Sequence, residues 1–117
     1  MLNNLEEIAD LLSNNIDYQV LRRFEQVKEY NSIDGEDKLI GIYLDTETTG
    51  LDYKKDKIIE LALVPFEYGK DGRIFRVLDS YSGFQDPGIP LNEQITSLTG
   101  ITNEMVKGKV IDCSRVD

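Results

Sequence analysis

The chain has no histidine and only one cysteine among its 117 residues. Without histidine it cannot build a Ser-His-Asp triad, use a histidine general base or ligate zinc through imidazole. One cysteine cannot form an intramolecular disulfide or a cysteine-rich zinc site, and it suits a reducing, cytoplasmic compartment. Carboxylates are therefore the main candidates for catalytic or metal-binding groups, because aspartate and glutamate together number 22.

Long apolar runs and an excess of basic residues are also lacking. No stretch approaches the roughly 20 apolar residues of a membrane span, and acids interrupt the N-terminus where a signal peptide would have its apolar region. The formal net charge is −9, so the chain lacks the basic field of proteins that hold nucleic acids tightly. A nuclease stays open, because catalytic metal ions reverse the local sign of charge where a phosphate binds.

Residues 4–30 predict a helical pair or one bent helix. Apolar residues at helical spacing follow Asn4, which is expected to be the N-cap, with Glu7 in the capping-box position. Asn14 suggests a break, and a second apolar stripe over residues 20–27 predicts a second helix. We therefore expect an N-terminal helical extension and linker over residues 1–37.

From residue 38 onwards the sequence changes to short apolar runs. They predict three strands, over residues 38–45, 57–66 and 74–81. The first run is nearly all apolar, which predicts a central strand with both faces covered. Two short helices follow, the first capped by Asn92 and the second by Thr102.

The most informative residues are Asp45 and Glu47, at the end of the first predicted strand. Strand positions two apart share a face, so the two carboxylates converge. Such close like charges need a cation or a proton, and Mg²⁺ or Mn²⁺ prefers carboxylate oxygen. An isolated Asp-x-Glu is usually a solvated turn, but the apolar strand before the pair favours the metal site. The pattern indicates a metal-dependent enzyme that acts on phosphate esters.

A family resemblance rests on three segments that occur in the expected order. The first segment reads Tyr43-Leu44-Asp45-Thr46-Glu47-Thr48-Thr49-Gly50-Leu51. It resembles the first exonuclease motif of the DnaQ-like (DEDD) 3′–5′ exonucleases, which include the proofreading subunit of the bacterial replicative polymerase, oligoribonuclease and RNase T. Lys57–Ala62 resembles the family's second strand, and Ile89-Pro90 with Thr99–Gly108 resembles its Gly-Ile-Thr helix region.

The resemblance implies an α/β fold for residues 38–117. The expected architecture is the N-terminal half of a DnaQ-like exonuclease domain: a partial ribonuclease H-like fold in which three antiparallel strands start the sheet. The resemblance also implies a two-metal mechanism with Mg²⁺ or Mn²⁺ ions roughly 4 Å apart. In that mechanism Asp45 and Glu47 are catalytic residues and metal ligands.

The resemblance further implies where substrate binds. Thr48 and Leu51 match positions that touch the terminal nucleotide, and Gly50 permits close approach of the backbone. Glu60 either orients the site from the neighbouring strand or is a structural acid that is hydrogen-bonded near the sheet. The expected partners are the 3′ end of a single-stranded nucleic acid, with DNA favoured, a polymerase, and a second copy through the incomplete sheet.

Family members carry four acids and a histidine or tyrosine base, and this chain does not match the later motifs. Asp112 and Asp117 do not lie in such a motif. We therefore expect half of the metal ligands, weak metal affinity and no activity of this chain alone. Two interpretations remain: a fragment of a longer exonuclease, or a natural short protein that serves as a non-catalytic structural or interaction module.

Overall fold

A computed structural model of the chain describes residues 4–117. It confirms the predicted α/β class, with one helix before an antiparallel sheet and short helices after it. The elements are α1 (Leu5–Ser13), β1 (Leu39–Thr48), β2 (Ile58–Tyr68), β3 (Ile74–Val77), β4 (Tyr81–Phe84), α2 (Glu93–Thr99), α3 (Asn103–Val106) and the 3₁₀ helix Cys113–Arg115. None of the helices in this part of the chain has the length and apolar character that crossing a membrane requires.

All four strands form one sheet in which β2 is central. β1 pairs with one side of β2, whereas β3 and β4 pair with its other side. β1 is therefore an edge strand, and the prediction of a central strand with covered faces is wrong for residues 4–117. Ile42, in the middle of β1, is 60% exposed. The apolar run predicted burial, but burial needs a covering layer that the described residues do not supply.

The third predicted strand is two strands, separated by residues 78–80. Both pair with β2, β3 near its end and β4 near its start. The interruption lies beside Pro65, whose carbonyl accepts a hydrogen bond from the Leu78 N–H at 2.8 Å. In an antiparallel strand the N–H and C=O of one residue point towards the same neighbouring strand. The Pro65 carbonyl points towards the segment that holds β3 and β4, but proline has no N–H to donate to that segment. The neighbouring chain leaves the ladder there.

The N-terminal segment is helical only in its first half. α1 is capped as predicted, since the Asn4 side chain accepts a hydrogen bond from the Glu7 N–H at 2.8 Å. The predicted second helix over residues 20–27 is wrong, because a helix needs an apolar surface to pack on, and Phe24 remains 85% exposed. Instead the following residues lie beside β3: the Tyr30 N–H donates to the Phe75 carbonyl at 2.7 Å.

The core lies where the two short helices pack on the start of β2. Its buried members are one residue of β2, one of α3 and two from the loops beside the helices: Ile59, Leu91, Ile101 and Val106. Both predicted caps are confirmed, with the Asn92 side chain accepting from the Ile95 N–H at 2.8 Å and the Thr102 hydroxyl from the Met105 N–H at 3.3 Å. α2 ends at Gly100, whose φ of 76° suits glycine.

Candidate active site

Asp45 and Glu47 lie on one face at the end of β1. The register places Glu47 directly opposite Glu60 of β2, and Asp45 opposite Ala62. Directly opposed strand residues share a face, with Cβ atoms about 5 Å apart, so three acids meet on this face. Asp45 is exposed, whereas Glu47 and Glu60 are half-buried. The register shifts directly after Glu47, and such an irregularity often re-aims side chains beside a functional site.

A tight loop follows the acids and joins β1 to β2. The Thr49 N–H donates to the Lys57 carbonyl at 2.9 Å, and the Thr49 hydroxyl donates to Asp56 at 3.0 Å. The other carboxylate oxygen of Asp56 accepts from the Asp52 N–H at 2.8 Å. Asp56 is therefore the hydrogen-bonding centre of this loop.

Gly50 makes room for that carboxylate. A Cβ atom added at Gly50 would lie 2.5 Å from Asp56 Oδ2, so any larger residue would push the Asp56 side chain away. The Thr48 hydroxyl donates to the Gly50 carbonyl at 2.6 Å, which fixes the start of the loop. Leu51 then projects from the loop and is fully exposed. The loop therefore presents one apolar side chain on a constrained backbone next to the acids.

The donor set suits a hard divalent cation in kind, because carboxylate oxygen is what Mg²⁺ and Mn²⁺ prefer. The number of such carboxylate ligands is small. Within residues 4–117 no group of three or more histidine, cysteine, aspartate or glutamate side chains is arranged to hold a metal ion. Asp45 and Glu47 thus fit as part of a ligand set, with Glu60 beside them.

The sequence predicted that Glu60 lies near the site, but two features of this face depend on the pairing of β1 with β2. Glu60 opposes Glu47 directly, a relation that requires the pairing register of the two strands. An aromatic pair, Tyr43 and Phe66, lies further along, with ring centroids 5.0 Å apart. Strand alternation could have placed Tyr43 on the face of Asp45, since they are two residues apart. Its partner on β2 could not be found that way.

The sequence is also similar to known proteins. A family model described as "Exonuclease" (RNase_T) matches residues 42–111, more than half of the chain. DNA polymerase III PolC-type of Pediococcus pentosaceus is 45% identical over 69 residues. The PolC-type proteins of Listeria welshimeri and Clostridium perfringens are 47% identical over 64 residues and 46% identical over 68 residues.

These matches cover very different shares of the two chains. They include 59%, 55% and 58% of this chain, respectively, but only 4% of each relative. The matched region contains the acids, the loop after them, the sheet and both short helices. The antiparallel sheet with few helices is consistent with part of a ribonuclease H-like exonuclease fold.

Proposed function

Because the chain belongs to the DnaQ-like exonuclease family, we propose that it forms part of a metal-dependent 3′–5′ exonuclease of the proofreading-subunit type. The reaction is hydrolysis of phosphodiester bonds at nucleic-acid 3′ ends. The observation that carries the proposal is the placement of Asp45 and Glu47 on one face at the end of β1, with Glu60 opposite Glu47. The names of the polymerase relatives favour DNA as substrate and a polymerase as partner.

Each residue has a role in this proposal. Asp45 and Glu47 would hold Mg²⁺ or Mn²⁺, which would supply activation of the attacking water and stabilisation of the leaving 3′ oxygen. Glu60 orients Glu47 from the neighbouring strand. The Gly50 backbone lies close to the terminal nucleotide, and Leu51 wedges against its base.

Thr48 contributes through its backbone. Its hydroxyl already donates to the Gly50 carbonyl at 2.6 Å, which leaves the hydroxyl oxygen as an acceptor and the backbone amide to contact the nucleotide. The constrained loop supports the proposal, because a binding group on a rigid backbone loses little entropy when substrate arrives.

The chain alone is proposed to bind metal weakly and to be inactive. Two ligands with one neighbouring acid are fewer than a two-metal site needs, and residues 4–117 contain no larger ligand group. Mn²⁺ titration of the 117-residue chain, followed by electron paramagnetic resonance, is expected to show weak binding that Asp45→Asn abolishes. Binding that survives this substitution would contradict the assignment of Asp45.

Activity is tested in a larger context. The stretch of the Pediococcus pentosaceus polymerase that aligns with this chain is replaced by the corresponding residues of this chain, and folding is checked by circular dichroism. With Mn²⁺ the chimaera should shorten a 5′-labelled single strand from its 3′ end, nucleotide by nucleotide. Asp45→Ala or Glu47→Ala should lower the rate more than about a hundredfold.

Asp79→Ala is the matched control, because Asp79 is an exposed acid that pairs with Arg115 at the surface. Loss of activity in this control, or full activity of Asp45→Ala, would refute the assigned site. Digestion by the 117-residue chain alone would refute its inactivity.

A second candidate is a non-catalytic interaction module, which the exposed apolar residues of β1 favour. A folded chimaera that digests nothing, together with a chain that does not bind Mn²⁺, would support this candidate. The cytoplasm remains the proposed location for either function, since the single cysteine suits a reducing compartment.

A further inference from the structure

The loop between β1 and β2 is held by one half-buried carboxylate, that of Asp56. Its Oδ1 atom accepts a hydrogen bond from the Thr49 hydroxyl at 3.0 Å, and its Oδ2 atom accepts from the Asp52 N–H at 2.8 Å. These two donors flank Gly50 and Leu51 in the chain. One side chain therefore fixes the backbone on both sides of the two residues that are proposed to meet the terminal nucleotide.

The Thr49 hydroxyl is itself held by the start of the next strand. Its oxygen accepts a hydrogen bond from the Lys57 N–H at 2.9 Å, and the Thr49 N–H donates to the Lys57 carbonyl at 2.9 Å. A hydroxyl can accept and donate at the same time, so its hydrogen serves the bond to Asp56. The two ends of the loop are thus joined at the position where Asp56 contacts it.

A short turn of the chain brings Asp56 back beside the residues it holds. The Asp56 N–H donates to the Asp52 carbonyl at 2.7 Å, while the Asp52 N–H donates to the Asp56 side chain. Both backbone groups of Asp52 are therefore bonded to Asp56. This pair of bonds fixes the peptide that follows Leu51.

Gly50 is required by this carboxylate and not by its own backbone conformation. It is not among the glycines with a positive φ, so alanine would suit the backbone at this position. The obstacle is Asp56, whose Oδ2 and Cγ atoms would lie 2.5 Å and 2.7 Å from a Cβ atom added at Gly50. The carboxylate thus rests directly on the Gly50 backbone.

We propose that Asp56 is a positioning residue that holds Gly50 and Leu51 in the conformation that receives the terminal nucleotide; the inference rests on the proposed function. Asp56 acts through Thr49 and Asp52 and is not a metal ligand. The exposed Leu51 side chain on a fixed backbone loses less entropy when a base covers it than the same side chain on a loose loop would lose. Removing the carboxylate should therefore weaken substrate binding and leave the chemical step unchanged.

The first test is kinetic and uses the Pediococcus pentosaceus chimaera with Mn²⁺. Asp56→Ala should raise KM for the single strand about tenfold, the loss expected when hydrogen bonds to a charged group are removed. It should leave kcat within about twofold of the parent, because the lost interaction serves binding alone. A merely structural role would instead reduce the active fraction, which lowers kcat and leaves KM unchanged.

Asp71→Ala is the matched control. Asp71 also organises a loop, since it accepts from the Arg73 N–H at 3.1 Å, but that loop joins β2 to β3 at the end of β2 remote from Glu60. Its KM should equal that of the parent. Asp56→Asn keeps one acceptor oxygen, so its KM should lie between those of the parent and Asp56→Ala. An unchanged KM in Asp56→Ala, or an equal rise in Asp71→Ala, would overturn the inference.

The second test follows the loop in the 117-residue chain and needs no catalysis. Trypsin cleaves after lysine, and the exposed Lys54 and Lys55 lie in this loop. Asp56→Ala and Gly50→Ala should each speed cleavage there about tenfold, because the hydrogen bonds that close the loop are lost. The double variant should be cleaved no faster than Asp56→Ala, since the carboxylate that Gly50→Ala displaces is then absent. Unchanged cleavage in Asp56→Ala, or additive effects, would contradict the inference.

Failure of this inference and failure of the proposed function give different results. If Asp45→Ala abolishes digestion by the chimaera but Asp56→Ala leaves KM unchanged, only the positioning role is refuted. If Asp45→Ala stays fully active, or the folded chimaera digests nothing, the proposed function fails and the inference fails with it.

Discussion

At the scale of single residues, several acids of this chain organise the backbone around them. Asp56 centres the loop after β1, with the Asp52 N–H and the Thr49 hydroxyl as its donors. Asp86 does the same after β4, where its two carboxylate oxygens accept from the Gly88 N–H at 2.8 Å and the Gly108 N–H at 2.9 Å. The hydrogen-bond partners of Asp56 and Asp86 therefore separate these acids from those proposed to bind metal.

Asp86 gives a pH prediction. The backbone N–H groups of Gly108 and Gly88 hold the pKa of the Asp86 carboxyl below its usual range. A folded pKa below the unfolded pKa stabilises the fold at pH values above the unfolded value, about 3.9. This stabilisation is lost as the pH falls through the folded value. Asp86→Asn should therefore lower the urea midpoint at neutral pH, and the difference from the parent should shrink in acid.

The control for that prediction is Asp79→Asn, since an exposed ion pair with Arg115 contributes little. The urea midpoints of the parent and both variants are compared at neutral pH and at about pH 3. A difference between parent and Asp86→Asn that stays constant across this range would contradict a role for the charged form.

At the scale of elements, local signals placed the caps correctly, whereas long-range contacts decided the extent of strands and helices. Asn4, Asn92 and Thr102 cap as predicted because a cap needs only its own first turn. The strand predicted over residues 74–81 is interrupted beside Pro65, which belongs to the partner strand β2. The pattern of residues 74–81 carries no information about that partner. The second N-terminal helix did not form, and the chain after its expected position pairs with β3 instead, through the Val77 N–H to the Lys28 carbonyl and the Tyr30 N–H to the Phe75 carbonyl.

The attachment of the two short helices depends on one residue of β2. Ile59 is fully buried and packs with Leu91, Ile101 and Val106. Ile59→Ala should lower the free energy of unfolding by about 2–5 kcal/mol, through lost burial and the cavity left behind. Ile58→Ala should cost much less, because Ile58 is 44% exposed. Urea denaturation of both variants measures the difference, and equal losses would contradict this core.

At the scale of the whole molecule, the described chain leaves one long sheet edge open. β1 has ten residues and pairs on one side only. An exposed apolar edge strand is a template for pairing with another chain. The net charge opposes such pairing between two copies, since two chains that each carry −9 repel each other. Association through β1 should therefore be weak at low salt and stronger when salt screens the repulsion.

Ile42→Lys tests that surface. Sedimentation equilibrium of the parent should show a shift from monomer towards dimer with added salt, and Ile42→Lys should suppress it by placing a charge on the edge strand. Ile89→Lys is the matched control, because Ile89 is similarly exposed, at 55%, but lies in a loop away from β1. A parent that stays monomeric at every salt and protein concentration would refute homodimerisation through the sheet.

The sequence by itself determined the features that depend on neighbours within a few residues. These are the helix caps, the position of the first two strands, the common face of Asp45 and Glu47, and the motif that identifies the exonuclease family. A period of two in a strand and one turn of a helix need no knowledge of the rest of the molecule.

Only the tertiary structure decided which residues stand opposite one another. It made β1 an edge strand, set Glu60 against Glu47 and laid Phe66 over Gly41. The physical reason is that pairing register and burial are properties of two segments together, set by contacts between residues far apart in the chain. The two acids that the sequence placed on one strand therefore share their face with a third acid, Glu60, only because β2 pairs with β1 in this register.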